Sequence, residues 1–213
     1  MILFHGSPER VERPNIKKCY PYNDYGAGFY CTLDKGLACE WACNRPGVDG
    51  FCNQYSIDET KLTILNLDEH EQGVLAWLAV LMEHRIFDME WNAFQVKDAF
   101  IRQYHVDLTG ADLVVGYRAD DSYFSIARAF VSGTITEIQA AEALRLGELG
   151  QQVVLRSPKA FRAIRFEGAE QVYAAQWYPR WERRDSEARA SFAGMRHAKG
   201  KVPGKRIFDL VEV

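Results

Sequence analysis

Ile2-Leu3-Phe4-His5-Gly6-Ser7 and, further on, Gly26-Ala27-Gly28-Phe29-Tyr30-Cys31-Thr32 are the two stretches whose reading decides the fold. Ile2 to Phe4 is a short apolar run with strand character. It delivers His5 at its end, with Gly6 and Ser7 turning away. Gly6 has no Cβ, so another group can approach its main-chain N–H and C=O directly. The second stretch is a strand entered through two glycines, and Asp34 beyond it is placed to cap a helix running to Asn44. Trp41 falls in that helix, eleven residues after Tyr30. An imidazole, a glycine backbone and two aromatic rings are therefore expected around one pocket.

Outward from these stretches the chain reads as strands at both ends with helices between, an α+β pattern. Pro46 and Gly47 end the first helix, and Phe51–Ser56 and Leu62–Asn66 follow as strands, the second expected to be buried. Residues 71–87 and 88–104 carry apolar side chains at helical spacing, among them Trp77, Leu81, Trp91 and Phe100, and such a stripe is what a packed helix needs. Asp112–Gly116 is a strand and 121–131 a helix. Thr134 with Glu137 reads as a capping box opening another helix through Leu146. Gln152–Arg156, Phe161–Phe166 and Gln171–Gln176 read as the closing strands.

Composition sets limits. The chain has 213 residues with 47% hydrophobic content, enough to bury a substantial core. The net charge of −3 argues against a whole-chain electrostatic grip on nucleic acid. No apolar stretch approaches the roughly 20 residues of a membrane helix, and no basic-then-apolar leader opens the sequence. Five cysteines, an odd number, suggest reduced thiols in a cytoplasmic protein. Cys39 and Cys43 lack the spacing of a metal site, so no metal is assigned and small buried hydrophobes are the favoured role. Residues 178–213 carry nine Lys and Arg against five acidic residues. That excess suits either a basic arm for an anionic partner or, as the favoured reading, an ordinary charged tail.

Four segments together resemble the ADP-ribosyltransferase superfamily, in its poly(ADP-ribose) polymerase-like, diphtheria-toxin-like branch. They are Phe4-His5-Gly6-Ser7, Asp24-Tyr25-Gly26-Ala27-Gly28-Phe29-Tyr30-Cys31-Thr32, Gly116-Tyr117-Arg118-Ala119-Asp120-Asp121 and Gln152-Val153-Val154-Leu155. Within that branch the chain is most similar to a bacterial family of unknown function with a His-Tyr-Gln pattern. The resemblance covers roughly residues 1 to 168 in the right order, which makes it more specific than any single motif. It implies a core of two packed, mostly antiparallel sheets with a helical insertion. It places an NAD-binding domain in residues 1–177, with 178–213 as a basic C-terminal helix or tail.

The resemblance further implies a mono-ADP-ribosyltransferase that uses NAD as substrate, releases nicotinamide and modifies a macromolecular acceptor, protein or nucleic acid. A toxin of a toxin–antitoxin or phage-defence system, with a cognate antitoxin and no membrane partner, is the setting it suggests. Carried over residue by residue, His5, Tyr30 and Gln152 are the catalytic positions. His5, Gly6, Ser7, Tyr30 and Trp41 bind NAD, with Tyr30 and Trp41 sandwiching the nicotinamide. Two departures stand out. Ala38 replaces a serine that relatives often use for the nicotinamide amide. Gln152, or Gln151 one register away, stands where the superfamily carries a glutamate, and a glutamine accepts from a hydroxyl but brings no charge. Asp120 or Asp121 is an accessory acid if its loop folds inward, or otherwise a helix cap. A non-catalytic NAD or ADP-ribose binding module and an NAD glycohydrolase remain as alternatives.

Overall fold

The computed structural model describes residues 1–87, 91–118, 121–146, 150–196 and 202–212. Seven strands form one sheet in the order β4-β5-β6-β2-β1-β3-β7. They are β1 (Ile2–Ser7), β2 (Phe29–Thr32), β3 (Gly50–Ile57), β4 (Ile64–Asn66), β5 (Leu113–Tyr117), β6 (Gln151–Leu155) and β7 (Ile164–Val172). Every neighbouring pair is antiparallel except β4 with β5. The chain is therefore α+β with a mixed sheet, where two separate packed sheets had been expected.

Pairing is uneven along the sheet. β1 pairs with β3 along all six of its residues, and β2 pairs with β6 along all four of its own. Between β1 and β2 the register holds at one pair, Phe4 opposite Thr32. The sheet is two leaves, β4-β5-β6-β2 and β1-β3-β7, hinged at that pair. Adjacent strands that part after one pair leave backbone groups and side chains facing a gap.

Central strands are buried on both faces. In β5 and β6, Val114 and Val154 enter the large helical cluster, whereas Leu113, Val115, Val153 and Leu155 enter the opposite one, as the period-2 alternation of a strand requires. The large cluster is built by α2 (Val74–His84), α3 (Trp91–Tyr104), α4 (Asp121–Val131), α5 (Glu137–Ala143), α7 (Ala174–Arg196) and α8 (Ile207–Leu210). Ala76 through Met82 of α2 are all buried, so this helix is apolar all round and lies at the centre of the layer. Two short helices complete the fold, α1 (Lys35–Ala42) and α6 (Pro158–Ala163). Among the described residues no helix is long and apolar enough to cross a membrane.

Several sequence expectations shift. β1 continues through Gly6 and Ser7, paired with Cys52 and Phe51, so the chain does not turn at His5. β4 lies at the sheet edge with Ile64 exposed, because it pairs with β5 alone. The capping box is Thr136 with Gln139, two residues later than read. Gly133, at φ +66, closes α4, and Ile135 enters the core before the next helix can begin. Residues 158–163 are helical, since Ser157 caps the Ala160 N–H and Pro158 fits the first turn; local capping outweighs the apolar pattern. Beyond β7, Asp49 accepts the Ala174 N–H at 2.8 Å and α7 starts where a strand had been expected. α7 crosses residue 177 without a break and buries Asp185, Ala188 and Phe192. All five cysteines are free thiols, four of them buried.

Candidate functional site

A cleft of about 790 Å³ opens beside the β1–β2 parting, lined by the loop after β1, β2, α1 and the ends of α2, β5 and β6. Its size lies within the few hundred to about 1,000 Å³ typical of small-molecule sites. His5, Gly6, Tyr30, Trp41 and Gln152 all line it, as does Ala38. The two leaves and the helix over them thus gather five sequence-predicted positions, spread between residues 5 and 152, around one cleft. Ser7 is not among the lining residues; its hydroxyl accepts the Glu9 N–H at 3.1 Å, a turn role. Asp120 lies outside the described residues, and so does the side chain of Asp121 at the start of α4.

His5 is fixed through its ring. Nδ1 sits 2.7 Å from the Tyr30 carbonyl, and the ring packs on Phe29 with centroids 4.4 Å apart. A carbonyl only accepts, so Nδ1 carries the proton and Nε2 is left as an acceptor. Burial lowers the His5 pKa; the Tyr30 carbonyl opposes this and the Arg118 charge adds to it, so the neutral form is favoured. Asn53, fully buried on β3, fastens the neighbouring backbone by donating to the His5 and Glu9 carbonyls at 3.2 Å and accepting from the Val11 N–H at 2.8 Å.

Gly6 is needed for a different contact from the one foreseen. A Cβ there would lie 2.0 Å from the Ala38 carbonyl oxygen and 2.7 Å from the Ala42 nitrogen. The missing side chain lets α1 press on β1, and that packing carries Trp41 to the cleft. Asp34 accepts the Leu37 N–H at 3.0 Å and starts the helix as its sequence position implied.

Tyr30 contributes its ring and little else. Its hydroxyl donates to the Gly26 carbonyl at 2.7 Å and accepts the Tyr25 N–H at 3.0 Å, which closes the 25–30 loop on itself. Burial drives its pKa strongly upward. The phenol is thus neutral and already engaged. Trp41 is 37% exposed, and the Arg118 guanidinium lies 4.1 Å from its ring centroid. One face of the indole is therefore covered by a cation, a contact between residues 77 positions apart that local sequence does not reveal. Arg118 is set there by the preceding backbone. Gly116 passes so close to Tyr25 that a Cβ would meet its hydroxyl at 2.6 Å, and that hydroxyl donates to the Tyr117 carbonyl. Trp77 Nε1 donates to the same carbonyl at 3.0 Å.

Gln152 occupies the last wall, opposite Thr32 on β2 and Gly116 on β5. Gln151 donates to Asp68 at 2.6 Å and is not among the lining residues, so of the two glutamines Gln152 lines the cleft. The Gln152 side chain is buried, with Nε2 3.3 Å from Asp24 Oδ2 and Oε1 lacking a hydrogen-bond partner. Asp24 lines the cleft, is 5% exposed, and has Oδ1 3.6 Å from Arg85 Nε at the end of α2. Sequence reasoning quoted Asp24 within a motif but gave it no role, and missed Arg85 and Asn53 altogether. Toward its mouth the cleft is lined by Arg10, Arg13 and Lys18, with Glu9 and Glu12 among them.

Chemically, the cleft brings together a histidine with Nε2 as an acceptor, a glutamine whose buried Oε1 lacks a partner, two aromatic side chains, and a buried carboxylate beside Arg85. Searches among curated proteins and among solved structures find no match. A family model does match, over residues 1–166, which takes in every strand of the cleft. The chain belongs to that family, described as a protein of unknown function, DUF3990.

Proposed function

We propose that the cleft binds NAD and that the protein is an ADP-ribosyltransferase, passing ADP-ribose to a macromolecular acceptor and releasing nicotinamide. The split sheet is read as the two half-sheets of an ADP-ribosyltransferase-like core. The observation that carries the proposal is one cleft lined by His5, Tyr30, Trp41 and Gln152, in which His5 keeps Nε2 as an acceptor and Gln152 Oε1 is buried without a hydrogen-bond partner. A buried acceptor without a partner costs free energy, on the order of 1–3 kcal/mol, which a ligand hydroxyl would recover. His5 takes a hydroxyl of the adenosine ribose, and Gln152 one of the nicotinamide ribose. Tyr30 and the open face of Trp41 hold the nicotinamide. Arg10, Arg13 and Lys18 at the mouth supply positive charge for the diphosphate.

In the reaction, the bond between ribose C1′ and the nicotinamide nitrogen breaks with its electron pair leaving on the ring. Neutral nicotinamide departs and an oxocarbenium-like ribose remains. An acceptor nucleophile then bonds to C1′ and loses its proton. Fixed groups that hold the ribose and face the developing positive charge speed this step. The neutral amide at position 152 favours a second reading, a module that binds NAD or ADP-ribose without cleaving it. Incubating the purified protein with ADP-ribose-labelled NAD and whole lysate, then separating protein from nucleic acid, tests both. Nicotinamide release with label in one macromolecular fraction is the expected result. Release without label indicates a glycohydrolase; binding without release indicates the module; neither binding nor release ends the NAD reading.

A further inference from the structure

We propose that Asp24 and Gln152 act as one divided group, Gln152 presenting the hydroxyl acceptor and Asp24 supplying the negative charge that a glutamine lacks. The inference rests on the NAD reading above and names how that site would work. A carboxylate only accepts, so the Gln152 nitrogen must be the atom facing Asp24 Oδ2 at 3.3 Å. That contact fixes the amide with Oε1 on its other side, buried and without a hydrogen-bond partner. Asp24 thereby decides which atom of Gln152 is offered. It is also part of the cleft lining, and it is buried, so its charge acts through a medium of low polarisability. Arg85 Nε lies 3.6 Å from the other carboxylate oxygen and holds it on the side away from Gln152. The strand supplies geometry and the loop before β2 supplies charge, a division of what one glutamate on β6 would do alone. Asp24 acts through Gln152 and is a positioning residue.

The test is a four-corner set: wild type, Asp24→Asn, Gln152→Glu and the double variant, each checked for folding by thermal melting. NAD affinity is read by calorimetry and turnover by nicotinamide release. Asp24→Asn is expected to lower kcat by about 10²–10³ while NAD affinity changes only a few-fold, because the charge matters to the cation and less to the bound substrate. The double variant moves the carboxylate onto β6 and the amide onto the loop, and is expected to recover kcat to within about tenfold of wild type. Gln152→Glu alone sets two carboxylates together, one of which then holds a proton, so it gains little. Asp24→Asn turning over within about twofold of wild type, or a lowered kcat that the double variant leaves uncorrected, overturns the proposal. Should Asp24→Asn fail to fold, Gln152→Glu alone decides: turnover within about tenfold of wild type is the expected result, and a rise above that shows that no charge stood there before. A wild type that neither binds NAD nor releases nicotinamide removes the parent reading instead, so the two failures are distinguishable.

Discussion

At the scale of single residues, the least replaceable group in the cleft has no side chain. Gly6 lets the α1 backbone approach β1 to a distance that no Cβ allows, and the atoms it would meet are main-chain atoms that cannot swing aside. Gly6→Ala should therefore cost at least the 1–3 kcal/mol of ordinary overpacking, roughly. A denaturation midpoint equal to wild type would show that α1 can lift off at no cost. His5 makes a second prediction through pH. Its folded pKa is lowered, chiefly by burial, so folding and NAD binding both use the neutral ring. The stabilisation is complete above the unfolded value of about 6.5 and is lost as pH falls below it toward the folded value. NAD affinity, set by the folded pKa, should stay level from about pH 8 to 6.5 and drop only in more acidic solution. Calorimetric titration across that range, with His5→Gln as a variant that cannot gain the proton, checks the sign.

At the scale of elements, α1 is the carrier of the aromatic wall. Its N-cap, Asp34, is set by local sequence, but its seat on β1 comes from the glycine opposite. Trp41 shares a helix face with Leu37 and Ala38, four and three positions before it, but lies in the last turn of α1, where it is exposed and Arg118 covers its ring. Trp41→Ala should leave the melting temperature nearly unchanged and weaken NAD binding by about 0.5–1.5 kcal/mol, the stacking term of an aromatic pair. Affinity unaltered in a folded variant would take Trp41 out of the site. Trp41→Phe should retain most of the binding, since a ring face remains for both Arg118 and the ligand.

At the scale of the whole molecule, the C-terminal segment is part of the body of the fold. Ala188 and Phe192 of α7 and Ile207 of α8 belong to the large apolar cluster, alongside α2 and α4. Three of the segment's arginines are engaged within the fold: Arg184 bonds Glu40 of α1 at 2.7 Å, Arg189 bonds Asp185 at 2.7 Å, and Arg206 bonds the Gly133 carbonyl at 2.8 Å. Deleting residues 178–213 should therefore destabilise the protein by more than the roughly 3–5 kcal/mol of a single buried Phe→Ala change. Thermal melting of the truncated chain checks this; an unchanged transition would make the segment separable. A role for the exposed cations is better probed by Arg180→Glu with Arg183→Glu, both exposed on α7, reading acceptor labelling at low and high salt.

The sequence by itself determined the local devices. The His5 and Tyr30 strands, the Asp34 cap, the helical stripes and the aromatic spacing from Tyr30 to Trp41 were legible because each depends on residues a few positions apart, where periodicity and capping chemistry act. The capping box at Thr136 was misread by two positions, and the helix opened by Ser157 and Pro158 was missed because Phe161–Phe166 reads as a strand; several local signals competed at both places. Only the tertiary structure decided that one sheet parts between β1 and β2, that Gly6 serves α1, and that Gln152 instead of Gln151 faces the cleft. It alone joined Asp24 to Gln152, 128 positions apart. Such a contact depends on the register of β2 against β6 and on the burial of both groups, and neither is encoded in the pattern of either segment alone.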